Sequence, residues 1–318
     1  MSTNKFARGT HMHRASPDVL NCLTVDVEDY FQVSAFAGYI NRSQWDQWET
    51  RVVANTHRIL KLLDQCELKA TFFVLGWVGH KYPGLVRDIC DCGHEIGSHS
   101  YWHRLIYELS PEEFRSDLRL SRDVLENASG RPVVAYRAPS FSITRRSLWA
   151  LDILAEEGFL IDSSVFPIHH DRYGIPGAEP RIHRIATSAG PLWEFPPAAA
   201  RLVGLNIPVG GGGYFRLYPF SWTCFFLRRI NRTGEPFIFY VHPWELDPGQ
   251  PRIPLKSRIS RFRHYVNLAR NERKLQLLLW QFRFGRLRDV INSLAPERGL
   301  ELVGGGAVRQ ERNGRNDR

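Results

Sequence analysis

The chain has 318 residues, of which 43% are hydrophobic and 24% are charged, a composition typical of a folded protein rather than a disordered one. Its formal net charge of +9 is unevenly distributed: residues 1–251 hold 26 basic and 27 acidic side chains, whereas residues 252–318 hold 16 and 6. No run of about 18 apolar residues suggests a transmembrane helix, and five cysteines without framework spacing argue against a disulfide scaffold.

Both ends of the chain are predicted to lack packed structure. Residues 1–18 form a polar leader without the apolar core of a signal peptide, which favours a cytoplasmic location. Residues 299–318 form a tail that is rich in Gly, Asn and Arg beyond residue 304, a composition typical of disorder. The folded part is therefore expected within residues 19–298.

Predicted strands and helices alternate along the first half of the chain. The first strand is the apolar, β-branched run at 19–27, which ends in a cluster of carboxylates. A helix is predicted at 49–65, because its apolar residues fall on one side. The later predictions, in chain order, are a strand at 70–76, a helix at 83–92, a strand at 94–99, a helix at 111–128, a strand at 133–136, a helix at 145–157 and a strand at 237–241. This alternation predicts an α/β fold with parallel strands.

The last third of the chain follows different patterns. Residues 163–236 contain Pro- and Gly-rich segments that predict loops, including Gly210–Gly213. Beyond residue 254, apolar residues spaced by three and four predict two amphipathic helices that pack onto the main body. We therefore divide the folded part into a main domain at 19–251 and a basic helical extension at 252–298.

Polar residues follow the predicted strands, where parallel α/β folds place their chemistry. Asp26 and Glu28 alternate along the extended chain, so both should point to the same side. His99 and His103, four residues apart, would lie on one face of a helical turn and reach one ion. Two His and one carboxylate form the ligand set of a hydrolytic divalent metal such as Zn²⁺. Two half-buried, hydrogen-bonded histidines are the alternative.

A pair of cysteines is a weaker candidate for metal binding. Cys90 and Cys92 form a C-x-C near a predicted helix end, where buried thiols are the expected interpretation.

Four short motifs, taken in order, resemble those of the polysaccharide deacetylases of carbohydrate esterase family four, which share the NodB homology domain. TVDVED at 24–29 resembles the family's T-F-D-D, and HSYWH at 99–103 meets its H-[ST]-x-x-H. RAP at 137–139 meets R-x-P, and YVH at 240–242 resembles L-x-H with Tyr in place of Leu. The resemblance covers roughly residues 20–250 and implies a distorted (β/α) barrel of NodB type with a C-terminal helical extension.

The resemblance extends to a subgroup of these deacetylases. The segments at 26–31, 210–216, 242–245 and 264–291 resemble the deacetylases found with exosortase-linked exopolysaccharide gene clusters. The extra C-terminal region of that subgroup corresponds to about residues 251–295.

The resemblance implies a role for each residue of the first two motifs. Asp26 would be the general base, and Glu28, His99 and His103 would bind the divalent metal, expected to be Zn²⁺. The first motif has one residue more than T-F-D-D, so Asp29 is a rival for the carboxylate ligand.

The later motifs imply the remaining roles. Arg137 would hold Asp26 ionised and oriented, and His242 would be the general acid. Asp162 would hold the imidazolium of His242, although the fourth motif lacks its usual Trp and a cap on Ser163 and Ser164 is the alternative. The backbone amide of Ser140 matches the position that donates to the oxyanion.

Aromatic residues near these motifs are candidates for sugar contacts. Gly210–Gly213 lacks the sequence of a phosphate-binding P-loop, so we expect a tight or mobile loop that brings Tyr214, Phe215 and Arg216 over the substrate. Trp244 is a further candidate for a substrate contact, as are Trp102 and Trp193, although any of these Trp residues could instead lie in the core.

The leading hypothesis is a metal-dependent hydrolase that removes N-acetyl groups from amino sugars of a polysaccharide or its precursor. The alternatives are an amidase acting on a small non-sugar amide and an inactive sugar-binding module. The presence of both Asp26 and His242 argues against the inactive module, because binding alone requires neither a base nor an acid. The expected partner is an N-acetylated glycan, and the basic region lacks any recognised nucleic-acid motif. That region is expected to be a solvated face or to contact an anionic membrane surface or an acidic glycan.

Overall fold

The computed structural model describes residues 19–254 and 257–294. The predicted disordered leader at 1–18 and tail at 299–318 lie outside the described residues. Among the described residues, no helix combines the length and the hydropathy that crossing a bilayer would require.

The main sheet consists largely of short, buried, parallel strands. The strands are β1 Leu20–Val27, β2 Thr71–Val74, β3 Glu95–Ser98, β4 Ala135–Tyr136, β5 Ile161–Asp162, β6 His183–Thr187, β7 Gly190–Glu194, β8 Ala199–Leu202, β9 Leu205–Pro208, β10 Ile238–Val241 and β11 Arg283–Gly285. The helices are α1 Val52–Gln65, α2 Gly76–Lys81, α3 Pro83–Asp91, α4 Pro111–Ser129, α5 Trp149–Glu156, α6 Gly212–Leu217, α7 Phe220–Asn231, α8 Arg258–Tyr265, α9 Leu268–Gln281 and α10 Leu287–Leu294. Short 3₁₀ helices occur at Tyr30–Gln32, Ser34–Phe36, Arg42–Gln47, Ile106–Glu108, Pro139–Phe141 and Pro243–Leu246.

The strands follow one another around a distorted barrel. Their order is β10-β1-β2-β3-β4-β5-β7-β6, and every neighbouring pair is parallel except β6 with β7. Pro197, which follows β7, forms an isolated parallel bridge with Ile238 of β10 and closes the ring. The prediction of an α/β fold with a distorted (β/α) barrel is confirmed.

Local sequence signals explain why the predicted elements form. All residues of β1 except Leu20 are buried, and in an extended strand Thr24 and Asp26 point to the opposite face from their neighbours. Helix α4 begins with a capping box between Ser110 and Glu113 and ends at Gly130, whose φ of 65° is left-handed. Strands β1 to β4 and helices α1, α3 and α4 were therefore predicted from the sequence pattern, whereas the short helix α2 between β2 and β3 was not.

The prediction of loops throughout 163–236 is wrong. This region contains β6 to β9 and helices α6 and α7. Helix α7 buries Phe226 and Leu227 but exposes Trp222 and Phe225, so apolar residues occur on both of its faces. A helix that is apolar on both faces lacks the polar stripe from which amphipathic periodicity is recognised.

The C-terminal extension contains the predicted helices, and a short strand that was not predicted lies between α9 and α10. Strand β11 pairs in parallel with the start of β1, with Leu20 opposite Arg283. The amide of Leu287 then donates to the Thr71 hydroxyl over 2.8 Å. A three-residue strand between two helices is too short to give a periodic signal, yet it makes the extension part of the sheet.

Candidate active site

A cleft of about 150 Å³ opens at the carboxyl ends of the barrel strands. Seven of the candidate site residues named from the sequence line it: Asp26, Glu28, His99, His103, Ser140, His242 and Trp244. They come from the carboxyl end of β1 and from the segments after β1, β3, β4 and β10, strands that occupy one part of the sheet. The short parallel strands therefore bring together residues that lie more than two hundred positions apart in the sequence.

Glu28, His99 and His103 form a compact, buried set of potential metal ligands. One ligand atom from each residue lies within 4.8 Å of the others. His99 Nδ1 lies 2.9 Å from the Arg137 carbonyl oxygen, so it donates there and leaves Nε2 as the lone-pair nitrogen. His103 Nε2 lies 2.6 Å from Glu28 Oε2, which has no other hydrogen-bond partner within the described chain. The donor types, their burial and their spacing fit a divalent metal ion.

Glu28, and not Asp29, faces this set. Both oxygens of Asp29 are already engaged, because Oδ1 accepts from the Tyr30 amide and Oδ2 accepts from the Thr50 hydroxyl and the amides of Arg51 and Val52. Asp29 thereby anchors the start of α1 to the end of β1. Its rival assignment as a metal ligand does not fit the structure.

The two histidines reach the set without a helical turn, which corrects that prediction. The segment after β3 is irregular, and Ser100 and His103 have left-handed φ values of 66° and 52°. Asp117 of α4 stabilises this path, because its carboxylate accepts from the Ser100 hydroxyl and from the amides of Tyr101 and Trp102. The loop conformation brings the two imidazole centroids to 5.4 Å.

Asp26 is held by a fully buried arginine. Arg137 Nη1 donates to Asp26 Oδ1 and to the Thr24 hydroxyl, each over 2.7 Å. Its Nη2 and Nε donate to the hydroxyl and carbonyl of Ser163. Because the guanidinium is 0% exposed and multiply bonded, it fixes one oxygen of Asp26 and leaves Oδ2 facing His242 across 3.8 Å.

His242 is oriented by Glu245 rather than by Asp162. Glu245 Oε2 lies 3.2 Å from His242 Nδ1 and accepts a 3.0 Å hydrogen bond from the His242 amide. Arg216 Nε donates to the other oxygen of Glu245 over 2.8 Å, and both side chains are buried. His242 Nε2 therefore points toward Asp26 and Glu28, at 3.8 Å from each.

Asp162 has a different environment, and its predicted role beside His242 is corrected. Its Oδ1 accepts from the Ser164 hydroxyl over 2.5 Å and its Oδ2 accepts from the Ser164 amide, which confirms the alternative of a local cap. Asp162 lies beside Glu194 on the neighbouring strand β7. Burial raises the pKa of Asp162, and burial together with Asp162 raises the pKa of Glu194 well above its usual range.

The pKa values of the buried groups in the cleft are shifted in different directions. Burial raises the pKa of Glu28, but the nearby imidazoles of His103 and His242 outweigh this effect and lower it to about 2. Burial lowers the pKa of His99 to about 4. Burial also lowers the pKa of His242, but the carboxylates of Glu245, Glu28 and Asp26 outweigh it and raise the pKa to about 9.

Ser140 lies at the cleft wall in an unusual backbone conformation. Its φ of 52° is left-handed, and its hydroxyl oxygen lies 2.7 Å from that of Ser34. The expected donation from its backbone amide to an oxyanion stays a prediction.

The glycine-rich segment packs against the end of β10. Gly211 forms an isolated bridge with Tyr240, and a Cβ at this position would lie 1.9 Å from the Tyr240 carbonyl oxygen. Its φ of 131° also requires glycine. Gly212 and Gly213 line the cleft. Tyr214 is not among the lining residues, but its hydroxyl lies 3.3 Å from that of Tyr173, which is.

Phe215 and Arg216 do not reach the cleft, which corrects their prediction as substrate contacts. Phe215 is 1% exposed and packs edge-on against Phe239. Arg216 bonds Glu245 and three carbonyl oxygens at the end of α8, those of Arg263, His264 and Val266. Arg216 therefore ties the C-terminal helices to the site instead of contacting substrate.

Trp244 lines the cleft but is 4% exposed, so it supports the site more than it offers a surface for sugar. Its Nε1 donates to Glu28 Oε1 over 3.2 Å, and its ring stacks between those of His242 and His264. Of the other two candidates, Trp193 is buried in the core and Trp102 is 36% exposed. Cys90 and Cys92 belong to no cluster of potential metal ligands within residues 19–254 and 257–294.

Sequence reasoning missed three residues that shape the site: Glu245, Asp117 and Tyr173. The H-P-W-E run contained a signal for Glu245, because a glutamate three residues after a helix-capping position commonly reaches back to it. Nothing in the local sequence marks Asp117 or Tyr173, since each contacts a loop that is distant in the sequence.

A barrel of this topology, with a two-histidine, one-carboxylate set at the carboxyl ends of its strands, defines the NodB class. Residues 45–156 match the family described as polysaccharide deacetylase, and residues 163–292 match a domain of unknown function, DUF3473. Residues 45–156 therefore belong to the polysaccharide deacetylase family, and the chain carries a second, C-terminal domain type. The first match contains His99, His103 and Arg137, and the second contains His242 and Glu245.

Individual relatives match over limited lengths. A peptidoglycan-N-acetylglucosamine deacetylase of Bacillus cereus is 34% identical over 33% of this chain and 38% of its own length. Chitin deacetylase 1 of Saccharomyces cerevisiae is 30% identical over 40% of this chain and 38% of its own length. The chain thus spans less than two fifths of these curated relatives.

Two solved structures share the fold. A structure from Mycobacterium smegmatis, assigned as a polysaccharide deacetylase, aligns with a TM-score of 0.56 at 19% identity, covering 93% of this chain and 96% of that one. A PuuE allantoinase aligns with a TM-score of 0.55 at 13% identity, covering 91% and 97%. At these identities the likeness shows the fold alone.

Proposed function

We propose that the protein is a metal-dependent hydrolase that removes N-acetyl groups from amino sugars of a polysaccharide or its precursor. The observation that carries the proposal is the convergence of Glu28, His99 and His103 with Asp26 and His242 on one cleft. Amide hydrolysis by water requires a group that activates the water, a base that takes its proton and an acid that protonates the departing amine. The metal ligands, Asp26 and His242 are suited to these three tasks.

Glu28, His99 and His103 would hold the metal ion, for which we propose Zn²⁺. The chemistry that such an ion supplies is acidification of water and polarisation of the amide carbonyl. The chain prepares the site for it, because Arg137 fixes the tautomer of His99 through its carbonyl and Trp244 orients Glu28.

Asp26 acts as the general base in this proposal. Arg137 engages Oδ1, so Oδ2 is the oxygen that takes the proton from the attacking water. The guanidinium restricts rotation of the buried carboxylate and fixes which of its oxygens faces the cleft.

His242 acts as the general acid. Glu245 faces Nδ1, so the proton for the departing amine is held at Nε2, on the cleft side. Arg216 in turn fixes Glu245, and three carbonyl oxygens near the end of α8 fix Arg216. The acid is thereby positioned from the C-terminal region.

The names of the relatives support the substrate class. Peptidoglycan and chitin deacetylases act on polymers of N-acetylated amino sugars, and this chain shares their family. We propose a glycan of that kind, made during exopolysaccharide synthesis, as the substrate.

Acetate release from N-acetylglucosamine oligomers, with and without added Zn²⁺, tests this function. We expect metal-dependent release of acetate. Hydrolysis of small cyclic amides in its place would favour the amidase alternative, which the allantoinase fold neighbour suggests. Sugar binding without any turnover would favour an inactive binding module.

We also propose that the C-terminal region contacts an anionic membrane surface, consistent with the cytoplasmic location expected from the sequence. Helix α8 exposes Ile259 by 65% and Phe262 by 57%, beside the exposed Arg258, Arg261 and Arg263. Within the described chain, no carboxylate forms an ion pair with these arginines. Exposed apolar residues among unpaired arginines suit the interface of an anionic bilayer.

Co-sedimentation with vesicles of phosphatidylglycerol or phosphatidylcholine tests this contact. We expect binding to the anionic vesicles only, and weaker binding after Ile259→Ser with Phe262→Ser. Leu120→Ser on α4, where the leucine is 43% exposed, is the control. Equal binding to both lipids, or none, would contradict the proposal.

A further inference from the structure

A second pocket adjoins the active-site cleft. Its volume is about 330 Å³, and the residues that matter for its chemistry are Tyr107, Arg145, Arg146, His170, Arg172 and Tyr173. Tyr173 lines both the pocket and the cleft. The segments that form it follow β3, β4 and β5, so it opens at the same edge of the barrel as the candidate metal ligands.

The pocket carries an excess of positive charge. Arg145, Arg146 and Arg172 are exposed, and within the described residues none of them forms an ion pair. The one carboxylate that lines the pocket, Asp171, lies 2.9 Å from His170 Nδ1. Three guanidinium groups around one concave space are therefore available to an anion from solvent.

Two of these arginines are held in place by neutral contacts. The guanidinium of Arg146 lies over the Tyr107 ring, 5.5 Å from its centroid. Arg145 Nη2 donates to the Pro176 carbonyl oxygen over 3.2 Å. Neither contact neutralises the charge, but each restricts the side chain and reduces the entropy that anion binding would otherwise cost.

The wall between the pocket and the cleft is built from stacked aromatic rings. The rings of His170 and Tyr173 stack at a centroid distance of 3.8 Å, and Phe166 stacks on Tyr173 at 6.0 Å. Glycans pack well against aromatic faces of this kind. A chain whose N-acetylated residue occupies the cleft could therefore continue past Tyr173 toward the arginines.

We propose that this pocket is a subsite for an anionic group on the glycan, a uronate carboxylate or a phosphate, next to the sugar that is deacetylated. The inference rests on the proposed deacetylase function and specifies its substrate class. Guanidinium groups bind both anions through paired N–H donors, so carboxylate and phosphate share the recognition chemistry. The substrate would be an acidic polysaccharide or a phosphorylated precursor.

The test compares substrates that differ only in charge. We would measure kcat/KM for acetate release from an oligosaccharide of alternating glucuronate and N-acetylglucosamine, and from the same oligosaccharide with its carboxylates reduced. A third substrate, an N-acetylglucosamine oligomer phosphorylated on the neighbouring residue, distinguishes phosphate from carboxylate. The variant is Arg146→Gln with Arg172→Gln, and Arg87→Gln, at an exposed arginine on α3, is the control.

We expect the wild type to prefer one acidic substrate over the neutral one by at least about tenfold at low salt, since charge-assisted hydrogen bonds dominate there. In the double variant this ratio falls to about one, whereas the control keeps it. Equal kcat/KM on acidic and neutral substrates in the wild type would overturn the inference. So would a double variant that keeps the wild-type ratio.

Failure of the proposed function itself has a separate signature, which is no acetate from any substrate. Calorimetric titration with the same oligosaccharides then decides the subsite. Binding of an acidic oligosaccharide at least about tenfold tighter than its neutral counterpart, lost in the double variant, would support the subsite without deacetylation. Equal affinities would overturn it.

Discussion

The candidate site joins two regions of the chain that contribute in different ways. Residues 20–137 supply the carboxylates, the histidines and Arg137 directly from the ends of parallel strands. Residues 163–294 supply His242 and the residues that position it. Glu245 contacts His242, Arg216 bonds Glu245, and the end of α8 bonds Arg216. The first region positions its groups by strand register, whereas the second positions one group by a chain of buried ion pairs. The C-terminal region is thus part of the site's architecture.

Replacement of Asp26 tests the first region and should have the largest effect. Asp26→Asn keeps the shape of the side chain but removes the proposed base, so we expect kcat to fall about 10²–10⁴-fold. Acetate release measures this, and circular dichroism checks the fold because Arg137 loses its charge partner. Asp64→Asn, at an exposed position on α1, is the control. A variant with wild-type kcat would exclude Asp26 as the base.

Replacement of Arg216 tests the second region through stability. Arg216→Gln removes the arginine that pairs with the buried carboxylate of Glu245 and breaks the bonds to the end of α8. Breaking a buried pair in this way costs about 3–5 kcal/mol of unfolding free energy, which urea denaturation would measure. Arg232→Gln, an exposed change just after α7, should leave that free energy nearly unchanged. Equal stability of the two variants would show that the ion-pair chain does not hold the region together.

Comparing kcat of a Glu245 variant and an Asp162 variant tests which of the two carboxylates positions His242. Glu245→Gln removes the carboxylate that faces His242 Nδ1, and we expect kcat to fall at least about tenfold with little change in KM. Asp162→Asn should leave kcat near the wild-type value, because Asp162 bonds Ser164 and not His242. A larger loss of kcat in Asp162→Asn than in Glu245→Gln would instead support the sequence-based assignment of Asp162 as the partner of His242.

The buried pair of Asp162 and Glu194 predicts a pH dependence of stability. The raised pKa of Glu194 means that the folded state keeps a proton that the unfolded state loses above its own pKa of about 4.3. Its stabilising contribution is therefore complete below that pH and is lost as pH rises through the raised folded pKa, by up to about 1.4 kcal/mol per pH unit. Glu194→Gln should remove this slope. Denaturation curves with the same pH slope in both proteins would contradict the protonated state of Glu194.

The sequence was informative wherever a residue's role depends on local pattern. Alternation along the first strand paired Asp26 with Glu28, and spacing paired His99 with His103. The resemblance of the ordered motifs to the deacetylases then implied that these residues share one site in a barrel, and the structure places them around one cleft. The histidines were grouped correctly although the helical turn was wrong, because Asp117 on a separate helix sets the loop path.

Roles that depend on tertiary contacts were not readable in this way. Arg216 was predicted to contact substrate because it follows a glycine-rich loop. In the structure its guanidinium is buried, where it donates to the carboxylate of Glu245 and to a carbonyl oxygen at the end of α8. Asp162 was paired with His242 by analogy to the motif order, whereas strand register places it beside Glu194. Strand β11 was missed because three residues carry no period.

The most direct test of the account is equilibrium binding of Zn²⁺ to the purified protein and to Glu28→Gln. The account predicts one tightly bound ion per chain in the wild type, and its loss or strong weakening in the variant, because Glu28 is the carboxylate of the buried ligand set. Asp29→Asn should keep the ion wherever the protein remains folded, since Asp29 anchors α1 and faces away from the set. A wild-type chain that binds no ion, or a Glu28→Gln chain that binds it as tightly, would contradict the central claim.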